Sequence, residues 1–406
     1  MVENVIVGQS GGPTSVINAS LAGVIFEAKD FEADKIYGMV NGIEGFLKGN
    51  YVDLKEKIKN SKDISLLCQT PSSYLGSCRF KLPDPEQDSE IYKKLFKKLN
   101  ELEIAVFIYI GGNDSMDTIK KLSTYGKTVG SKIRFMGAPK TIDNDLAVTD
   151  HTPGFGSAAK YIATMTKEVI RDSSVYDLKS VTILEIMGRN AGWLTGASVL
   201  AKGEDCPGPD LICLPEVVFD LDIFIKKVKN LLETKNSVVV AVSEGITLAD
   251  GRNVCEIHGE IEKLDAFGHK ILTGAGQFLA KELAEKLGCK TRAIELNTPQ
   301  RAAAHFASET DINEAFITGA FAVRSGFEGE TGKMVILNRS DKNGYECTAS
   351  AYDINKIANE IKFVPDNWIT ADGTYVTEEF VSYVKPLIEG VPELIYENGL
   401  PKHIVL

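Results

Sequence analysis

Two short polar runs follow apolar, strand-like segments at points where parallel strands would end. Residues 139–145 place an ammonium, a hydroxyl and two carboxylates directly after a proline, with no apolar periodicity of a buried helix. Residues 111–115 form a glycine-rich run about one βα unit earlier. Because α/β proteins bind ligands at the carboxyl ends of parallel strands, we predict that both runs face one site. A charged surface turn is the alternative for a single run.

Asp114 is an unusual residue in the glycine-rich run Gly111-Gly112-Asn113-Asp114-Ser115. The run opens a predicted helix, where Asp114 or Ser115 could be the N-cap. A turn that binds phosphate through backbone N–H groups would normally avoid a carboxylate. Two unit negative charges about 4 Å apart cost on the order of 4 kcal/mol at an effective dielectric of about 20. We therefore expect the charge of Asp114 to have a function of its own.

A second glycine-rich turn lies near the amino terminus. Residues 5–7 predict a strand, residues 8–15 include Gly11 and Gly12, and a helical pattern covers residues 16–29. This arrangement forms an anion site, because backbone N–H groups and the helix dipole point at the bend. The turn matches neither the P-loop pattern nor G-x-G-x-x-G, so a tight βα turn without a ligand is the alternative.

Further charged residues stand at predicted strand ends or bends. Arg79 follows a bend rich in serine and glycine, where it is either a phosphate contact or a solvated side chain. Arg189 lies at a strand-to-helix junction, where a planar guanidinium matches phosphate oxygens. The same strand-then-polar pattern recurs before Glu244 and before Arg301.

Strands that alternate with helices along the whole chain predict an α/β fold with mainly parallel sheets. The 406 residues, 44% of them hydrophobic, are enough for two domains with their own cores. In the tail we predict a strand around residues 334–337 and helical segments near residues 354–361 and 377–387.

Composition excludes several classes of function. A net charge of −11 argues against a nucleic-acid surface, although a local cation cluster can still bind an anionic ligand. The sequence shows neither a signal peptide nor a membrane span, which predicts a cytoplasmic protein. Seven cysteines without a C-x-x-C pair indicate reduced thiols rather than disulfides or a zinc site.

Taken together, the motifs resemble those of the phosphofructokinase family, in the family's order and spacing over at least residues 1–345. The motifs that carry the resemblance are Gly8-Gln9-Ser10-Gly11-Gly12, Gly111-Gly112-Asn113-Asp114-Ser115, residues 139–145, Met187-Gly188-Arg189-Asn190 and Thr298-Pro299-Gln300-Arg301.

The resemblance implies two Rossmann-like domains with the active site in the cleft between them, plus a C-terminal helical extension. Residues 1–153 and 300–345 would form the phosphoryl-donor domain. Residues 154–299 and 346–406 would form the sugar-phosphate domain with the extension. The implied reaction is phosphoryl transfer to the 1-hydroxyl of fructose 6-phosphate.

Two positions set the expected phosphoryl donor. Family members that use ATP have glycine where this chain has Asp114 and Lys140, and the Asp/Lys pair is the pattern of the pyrophosphate-dependent members. Asp114 would occupy the space of the nucleotide's α-phosphate and repel it. Lys140 would stabilise charge on the departing phosphate.

The resemblance also implies roles for individual residues. Asp143 would be the general base, with Lys140 and Asp114 as the other catalytic residues. Asn113 would contact Mg²⁺ through its neutral amide, either directly or through a water molecule. The implied donor contacts are Gly12, Arg79 and Ser115. The implied sugar-phosphate contacts are Thr141, Asp143, Met187, Gly188, Arg189, Glu244, Arg292, Thr298 and Arg301, with Arg292 reaching across from a neighbouring subunit.

This chain departs from the family pattern at several positions. Ser180, with Lys179 beside it, stands where many members have a second cross-subunit arginine, which puts that contact in doubt. Thr298 replaces a histidine or tyrosine at the sugar contact. Ala22 and Phe26 replace arginines that bind an allosteric nucleotide in regulated bacterial members, so we expect no such control.

The leading hypothesis is a magnesium-dependent, reversible phosphotransferase whose substrates are pyrophosphate and fructose 6-phosphate. We expect a homodimer or homotetramer that shares its active site across an interface, without nucleic acid or membrane as partner. An ATP-dependent kinase in which Asp114 points away is one alternative. A catalytically silent sugar-phosphate-binding subunit is another.

Overall fold

A computed structural model describes residues 3–258, 274–358 and 360–406 of the chain. The strands are β1 (Asn4–Gln9), β2 (Ile36–Met39), β3 (Tyr51–Asp53), β4 (Ile104–Gly111), β5 (Arg134–Pro139), β6 (Ser180–Ile186), β7 (Leu211–Cys213), β8 (Ser237–Ser243), β9 (Lys290–Glu295), β10 (Lys333–Ser340), β11 (Glu346–Asp353), β12 (Tyr396–Glu397) and β13 (Leu400–Pro401).

The helices alternate with these strands over most of the chain. They are α1 (Ile17–Asp30), α2 (Gly42–Leu47), α3 (Leu54–Lys57), α4 (Ser61–Gln69), α5 (Ser89–Glu101), α6 (Asn113–Thr128), α7 (Phe155–Ser173), α8 (Trp193–Gly196), α9 (Leu221–Thr234), α10 (Ala275–Leu287), α11 (Pro299–Ala302), α12 (Glu309–Phe327) and α13 (Glu378–Val384). The predicted α/β fold with mainly parallel sheets is confirmed.

A seven-stranded sheet has the order β11-β10-β5-β4-β1-β2-β3. Its inner strands are parallel, whereas β3 and β11 pair antiparallel at the two edges. The register aligns Gln9 with Ile110 and aligns Gly111 with Pro139. The carboxyl ends of β1, β4 and β5 therefore meet at one edge, which brings both glycine-rich turns and residues 139–145 together.

Buried apolar side chains cover both faces of this sheet, because successive strand residues point to opposite sides. Val5 and Val7 pack into one core with Leu21 of α1, and Ile6 packs into the other with Leu95 of α5. Helices α1 and α12 approach so closely that a Cβ on Gly23 would lie 2.0 Å from the carbonyl oxygen of Phe316. Only glycine fits that position.

A second sheet of four parallel strands has the order β7-β8-β6-β9. Ile186 aligns with Ser243 at the carboxyl ends of β6 and β8, and Glu185 aligns with Glu295 of β9. The junctions that carry Arg189 and Glu244 therefore leave the sheet at the same edge. Among the described residues, no helix has the length and hydropathy needed to span a bilayer.

The tail differs from the sequence-based prediction. The helix expected near residues 354–361 is wrong: of the described residues there, Ile354–Lys356 form a 3-10 turn, and residues 360 and 361 are not helical. Ile361 instead forms an antiparallel bridge with Leu146, so tertiary pairing overrides the helical spacing of the apolar residues. Helix α13 lies within the predicted segment 377–387, and β12 and β13 form a small hairpin.

Residues 346–353 were assigned to the sugar-phosphate domain, but they form β11 and extend the seven-stranded sheet beside β10. Their antiparallel pairing with β10 follows from the short connection between the two strands, since neighbouring segments pair most readily as a hairpin. The rest of the proposed domain division stays a prediction. All seven cysteines are free thiols, as expected.

Candidate active site

A cavity of about 490 Å³ lies where the carboxyl edges of the two sheets face each other. The candidate site residues that line it are Gly12, Arg79, Asn113, Asp114, Ser115, Lys140, Thr141, Asp143, Met187, Arg189, Glu244 and Arg301. We call the side formed by the turns after β1, β4 and β5 the donor half. The side formed by the junctions after β6 and β8 and by α11 is the sugar half.

Lys140 lies at the base of the donor half. Its side chain is buried, and its Nζ donates a hydrogen bond of 2.5 Å to the carbonyl oxygen of Gly12. Gly11 has a φ of +77°, and a Cβ there would lie 3.5 Å from Lys140 Nζ. Burial lowers the pKa of Lys140 to about 8, although Asp143 partly opposes the shift. The donor half thus holds a cation that an incoming anion would further stabilise.

Asp114 lines the donor half and does not cap the helix that it opens. Helix α6 begins at Asn113, and its N-cap Gly112 makes no side-chain cap bond. Among the described residues, the structure gives Asp114 no ion-pair partner within 4 Å. The carboxylate lines the cavity without such a partner, which agrees with the sequence-based expectation of a function beyond capping.

Ser115 joins two turns of the donor half. Its Oγ shares a buried hydrogen bond with Oγ of Ser10, at the end of β1. A Cβ on Gly111 would lie 1.9 Å from Ser115 Oγ, so this close packing requires glycine. Ser115 lines the cavity as expected, but its hydroxyl is already used to hold the two turns together.

Asp143 and Asp145 lie on residues 140–152, which we call the acidic loop. Thr141 Oγ1 donates to Asp143 Oδ2 over 3.4 Å and accepts from Asp143 N over 3.1 Å. Burial raises the pKa of Asp143, against the opposing effects of Thr141 and nearby cations. Burial and the charge of Asp143 raise the pKa of Asp145 to about 7. Near neutral pH the pair therefore holds a proton more readily than two exposed carboxyls would.

The sugar half presents two guanidinium groups with unused donors. Nε of Arg189 and Nε of Arg301 are buried and have no hydrogen-bond partner within the described part of the chain. Burial lowers the pKa of Arg301, and the charge of Arg79 adds to that effect. Because buried donors are normally paired, two unpaired guanidinium nitrogens in one polar cavity indicate a site for an oxyanion.

Glu244 sets a carboxyl group beside these cations. Its Oε1 accepts a hydrogen bond from the backbone N–H of Gly188 over 3.4 Å. Burial and then the charge of Asp143 raise the pKa of Glu244 to about 7. A carboxyl that can both accept and donate near neutral pH suits a sugar hydroxyl.

Three predicted contacts do not line the cavity in this chain. Gly188 is buried, and its backbone N–H donates to Glu244. Arg292 is 54% exposed on β9, where its Nη1 lies 3.7 Å from Asp172. Thr298 is exposed before α11, and its backbone N–H and hydroxyl both donate to Asn297. Thr298 is therefore not a cavity contact within one chain, and the cross-subunit role of Arg292 stays a prediction.

Sequence reasoning missed one contribution from the tail. Ile361 lines the cavity, although it lies in a segment that we predicted to be a helix. The backbone N–H of the next residue, Lys362, donates to the carbonyl oxygen of Asp145 over 2.9 Å. No local sequence signal marks this contact, because the partners are far apart along the chain.

The donor half has oxygen atoms suited to a hard cation. Oδ1 of Asn113 is buried without a hydrogen-bond partner among the described residues, and it lines the cavity with Asp114, Asp143 and Asp145. Amide and carboxylate oxygens, with water, are the ligands that Mg²⁺ prefers. The residues present therefore fit a magnesium ion.

His151, Glu314 and Cys347 form a different cluster, with ligand atoms within 4.8 Å of one another. His151 Nδ1 lies 2.8 Å from Asp150 Oδ1, and its Nε2 lies 2.6 Å from Glu314 Oε2. Both ring nitrogens are thus already hydrogen-bonded to carboxylates. The cluster is a buried ion-pair network between the acidic loop and α12.

Comparison with known proteins places these features in a family. The phosphofructokinase family model matches residues 4–325. The chain is 40% identical over 406 residues to the pyrophosphate–fructose 6-phosphate 1-phosphotransferase of Xanthomonas campestris pv. campestris, covering 99% of this chain and 96% of that one. It is 38% identical over 404 residues to the enzyme of the same name from Halomonas elongata, covering 98% and 95%.

A solved structure is similar over the full length. The crystal structure of the pyrophosphate-dependent phosphofructokinase from Nitrosospira multiformis matches with a TM-score of 0.88 at 35% identity. The match covers 100% of this chain and 96% of that one. The likeness therefore includes the tail beyond residue 325, where the family model ends.

Proposed function

The chain belongs to the phosphofructokinase family, and from this premise we propose that it transfers a phosphoryl group from pyrophosphate to the 1-hydroxyl of fructose 6-phosphate. The products are fructose 1,6-bisphosphate and phosphate, and the reaction is reversible because donor and product have similar phosphoryl potential. The observation that carries the choice of donor is the presence of Asp114 and Lys140 on the same half of the cavity.

Asp114 selects the donor by repulsion. Its carboxylate lines the donor half without an ion-pair partner among the residues that the structure describes. A nucleotide would have to place its own α-phosphate charge near this carboxylate, whereas pyrophosphate has no further phosphate or adenosine to accommodate. A like-charge contact of this kind costs several kcal/mol and discriminates between two donors that share their terminal phosphoryl group.

Lys140 supplies the positive charge that favours transfer. Its pKa of about 8 keeps it mostly protonated at neutral pH, and a bound anion raises that pKa further. In phosphoryl transfer the enzyme acts mainly through positioning and charge stabilisation. A buried ammonium held against Gly12 is positioned to stabilise the charge that develops on the departing phosphate.

Asp143 takes the proton from the sugar 1-hydroxyl. A general base is most effective when its pKa lies near the working pH, and burial raises the pKa of Asp143 in that direction. Thr141 orients the carboxylate through its hydroxyl. Asn113 and the neighbouring carboxylates would hold Mg²⁺, which when bound neutralises negative charge on the donor.

The sugar phosphate binds through Arg189, Glu244 and Arg301 in the sugar half. Arg292 completes the site from a neighbouring subunit, because it is exposed on β9 and lies outside the cavity of its own chain. We therefore propose a homodimer or homotetramer. Cytoplasmic location fits free thiols and a glycolytic substrate.

The function is tested by incubating the purified protein with Mg²⁺, fructose 6-phosphate and pyrophosphate, and following fructose 1,6-bisphosphate by ³¹P NMR. We expect turnover with pyrophosphate and little or none with ATP. Bisphosphate formed only with ATP would establish the alternative donor. No turnover with either would favour a silent sugar-phosphate-binding subunit, against which the intact Asp143, Arg189 and Arg301 argue.

A further inference from the structure

The residue between the two acidic side chains of the acidic loop has an unusual backbone conformation. Asn144 is fully buried and has a φ of +55°. Left-handed backbone is uncommon for residues other than glycine, although asparagine adopts it more readily than most. Because Asn144 joins Asp143 to Asp145, its conformation sets the directions in which the two carboxylates leave the backbone.

Hydrogen bonds from the tail hold the side chain of Asn144. Its Nδ2 donates to the hydroxyl of Tyr383 over 2.9 Å. Its Oδ1 accepts from Lys362 Nζ over 3.3 Å and from the backbone N–H of Thr152 over 3.1 Å. Two of these three partners lie beyond residue 325, where the family model ends.

Lys362 directs all three donors of its ammonium group at the acidic loop. Besides Asn144 Oδ1, its Nζ donates to the carbonyl oxygens of Asp150 over 2.5 Å and of Thr149 over 3.3 Å. An ammonium has three N–H donors and no acceptor, so its hydrogen-bonding capacity is filled by one loop. A buried lysine used in this way restrains the loop on one side.

The main chain of Lys362 links the acidic loop to the sugar half. Its N–H donates to Asp145 O over 2.9 Å, and its carbonyl oxygen accepts from Trp193 Nε1 over 2.9 Å. The ammonium also lies 5.1 Å from the centre of the Trp193 ring. Trp193 begins α8, which follows the junction that carries Arg189.

Tyr383 restrains the same loop from α13. Its hydroxyl donates to Asp150 O over 2.6 Å while it accepts from Asn144. Arg339 Nη1 donates to Tyr383 O over 2.7 Å and so anchors this part of the tail to β10. The tail therefore contacts the acidic loop at both ends of residues 144–150.

We propose that Lys362 and Tyr383 are positioning residues for the reaction, which hold Asn144 in its left-handed conformation and thereby aim Asp143 at the sugar hydroxyl. The inference rests on the proposed function, in which Asp143 is the base. Misplacing a catalytic group by about 1 Å can cost about 100-fold in rate, so a loosened loop affects turnover more than binding.

The test compares Lys362→Met and Tyr383→Phe with the wild type. Both substitutions keep the apolar bulk and remove the side-chain groups that bond to the loop, while the main-chain N–H of residue 362 stays. We expect kcat to fall about 10- to 100-fold, with KM for both substrates within about threefold of wild type. The matched control is Lys356→Met, which changes an exposed lysine on the same segment and should leave kcat unchanged.

The split between kcat and KM, with the melting temperature measured beside it, separates positioning from a general loss of stability.

The inference is overturned if folded variants melt earlier than wild type but keep kcat within about twofold. Should Lys362→Met fail to fold, kcat of Tyr383→Phe decides the matter. All rates are measured with the donor that the wild type uses, so an error in the proposed donor would leave this comparison intact.

Discussion

The two halves of the cavity differ in how many of their predicted contacts line the cavity within one chain. In the donor half, Gly12, Asp114 and Lys140 all line the cavity, and each follows a strand of one sheet. In the sugar half, Arg189, Glu244 and Arg301 line it, whereas Arg292 lies outside it. This difference underlies our proposal that one chain decides the donor, whereas sugar-phosphate binding draws on a neighbouring copy.

Sheet topology explains this difference. Strands β1, β4 and β5 are adjacent and parallel, so their carboxyl ends converge on one point. Strand β9 is one of the two edge strands of the four-stranded sheet that the described residues form. Arg292 lies on that edge strand, which is why we propose that it serves a neighbouring copy rather than its own cavity.

The largest expected effect is on the phosphoryl-transfer step, which needs the donor from one half and the sugar from the other. Asp143→Ala should lower kcat by about 10²- to 10⁴-fold, because the reaction then lacks its general base. Circular dichroism and the melting temperature should stay close to those of wild type. Asp34→Ala, which changes an exposed aspartate that does not line the cavity, is the control. Near-normal turnover in Asp143→Ala would remove the base assignment.

The next effect tests whether the sugar half needs a partner. Arg292→Ala should raise KM for fructose 6-phosphate about 10- to 100-fold, as expected for loss of a hydrogen bond between charged groups. KM for pyrophosphate should change little. Arg252→Ala removes another exposed arginine and serves as the control.

Mixed assemblies sharpen this second prediction. A hybrid of Asp143→Ala and Arg292→Ala chains contains one site with an intact base and an intact arginine from its neighbour. At fructose 6-phosphate concentrations well below the raised KM, such hybrids should be more active than either parent assembly. If the hybrids gain nothing over the Arg292→Ala parent, Arg292 does not act across the interface.

A pH profile then separates two ionisations of the donor half in the free enzyme, those of Asp143 and Lys140. Burial raises the pKa of Asp143, so kcat/KM should start to fall at a higher pH on the acid side than it would with an exposed carboxyl as base, since the base must be ionised. The lowered pKa of Lys140, about 8, predicts a fall as pH rises through about 8. Lys140→Met should lose the basic limb, and a persisting limb would contradict this assignment.

The smallest effect concerns stability where the acidic loop meets α12. Burial opposes the charge of His151, but its hydrogen bonds to Asp150 and Glu314 prevail and raise its pKa to about 9. Because this folded-state pKa lies above the unfolded value of about 6.5, the stabilisation is complete below about pH 6.5 and is lost as pH rises through about 9.

His151→Gln should therefore melt several degrees below wild type at pH 6.5, with a smaller gap at pH 9.5. Differential scanning calorimetry at both pH values checks this. A gap that does not depend on pH would mean that His151 contributes through packing alone.

The donor half was the more predictable part of the molecule. Residues 106–110 are a continuous apolar run, and residues 133–138 are mostly apolar apart from Arg134. Such runs are typical of strands buried on both faces, and the polar groups follow them closely. Strand order and register then bring the two polar runs together. Local sequence thus contained nearly all the information that this half requires.

The tail was the least predictable. Ile354, Ile357 and Ile361 have helical spacing, yet the first two fill a core under the seven-stranded sheet and the third pairs with Leu146. Strand β11 was missed because its residues are mostly small or polar and only partly buried. The contact of Lys362 with Asn144 joins residues 218 positions apart, which no local pattern can reveal.

The central claim is that Asp114 and Lys140 together choose the phosphoryl donor. The most direct measurement is the ratio of kcat/KM for pyrophosphate to kcat/KM for ATP, in the wild type and in the double variant Asp114→Gly, Lys140→Gly. We predict that the variant loses most of its pyrophosphate activity and gains measurable activity with ATP. If ATP binding stays undetectable in a folded double variant, steric exclusion elsewhere in the cavity selects the donor and the claim is wrong.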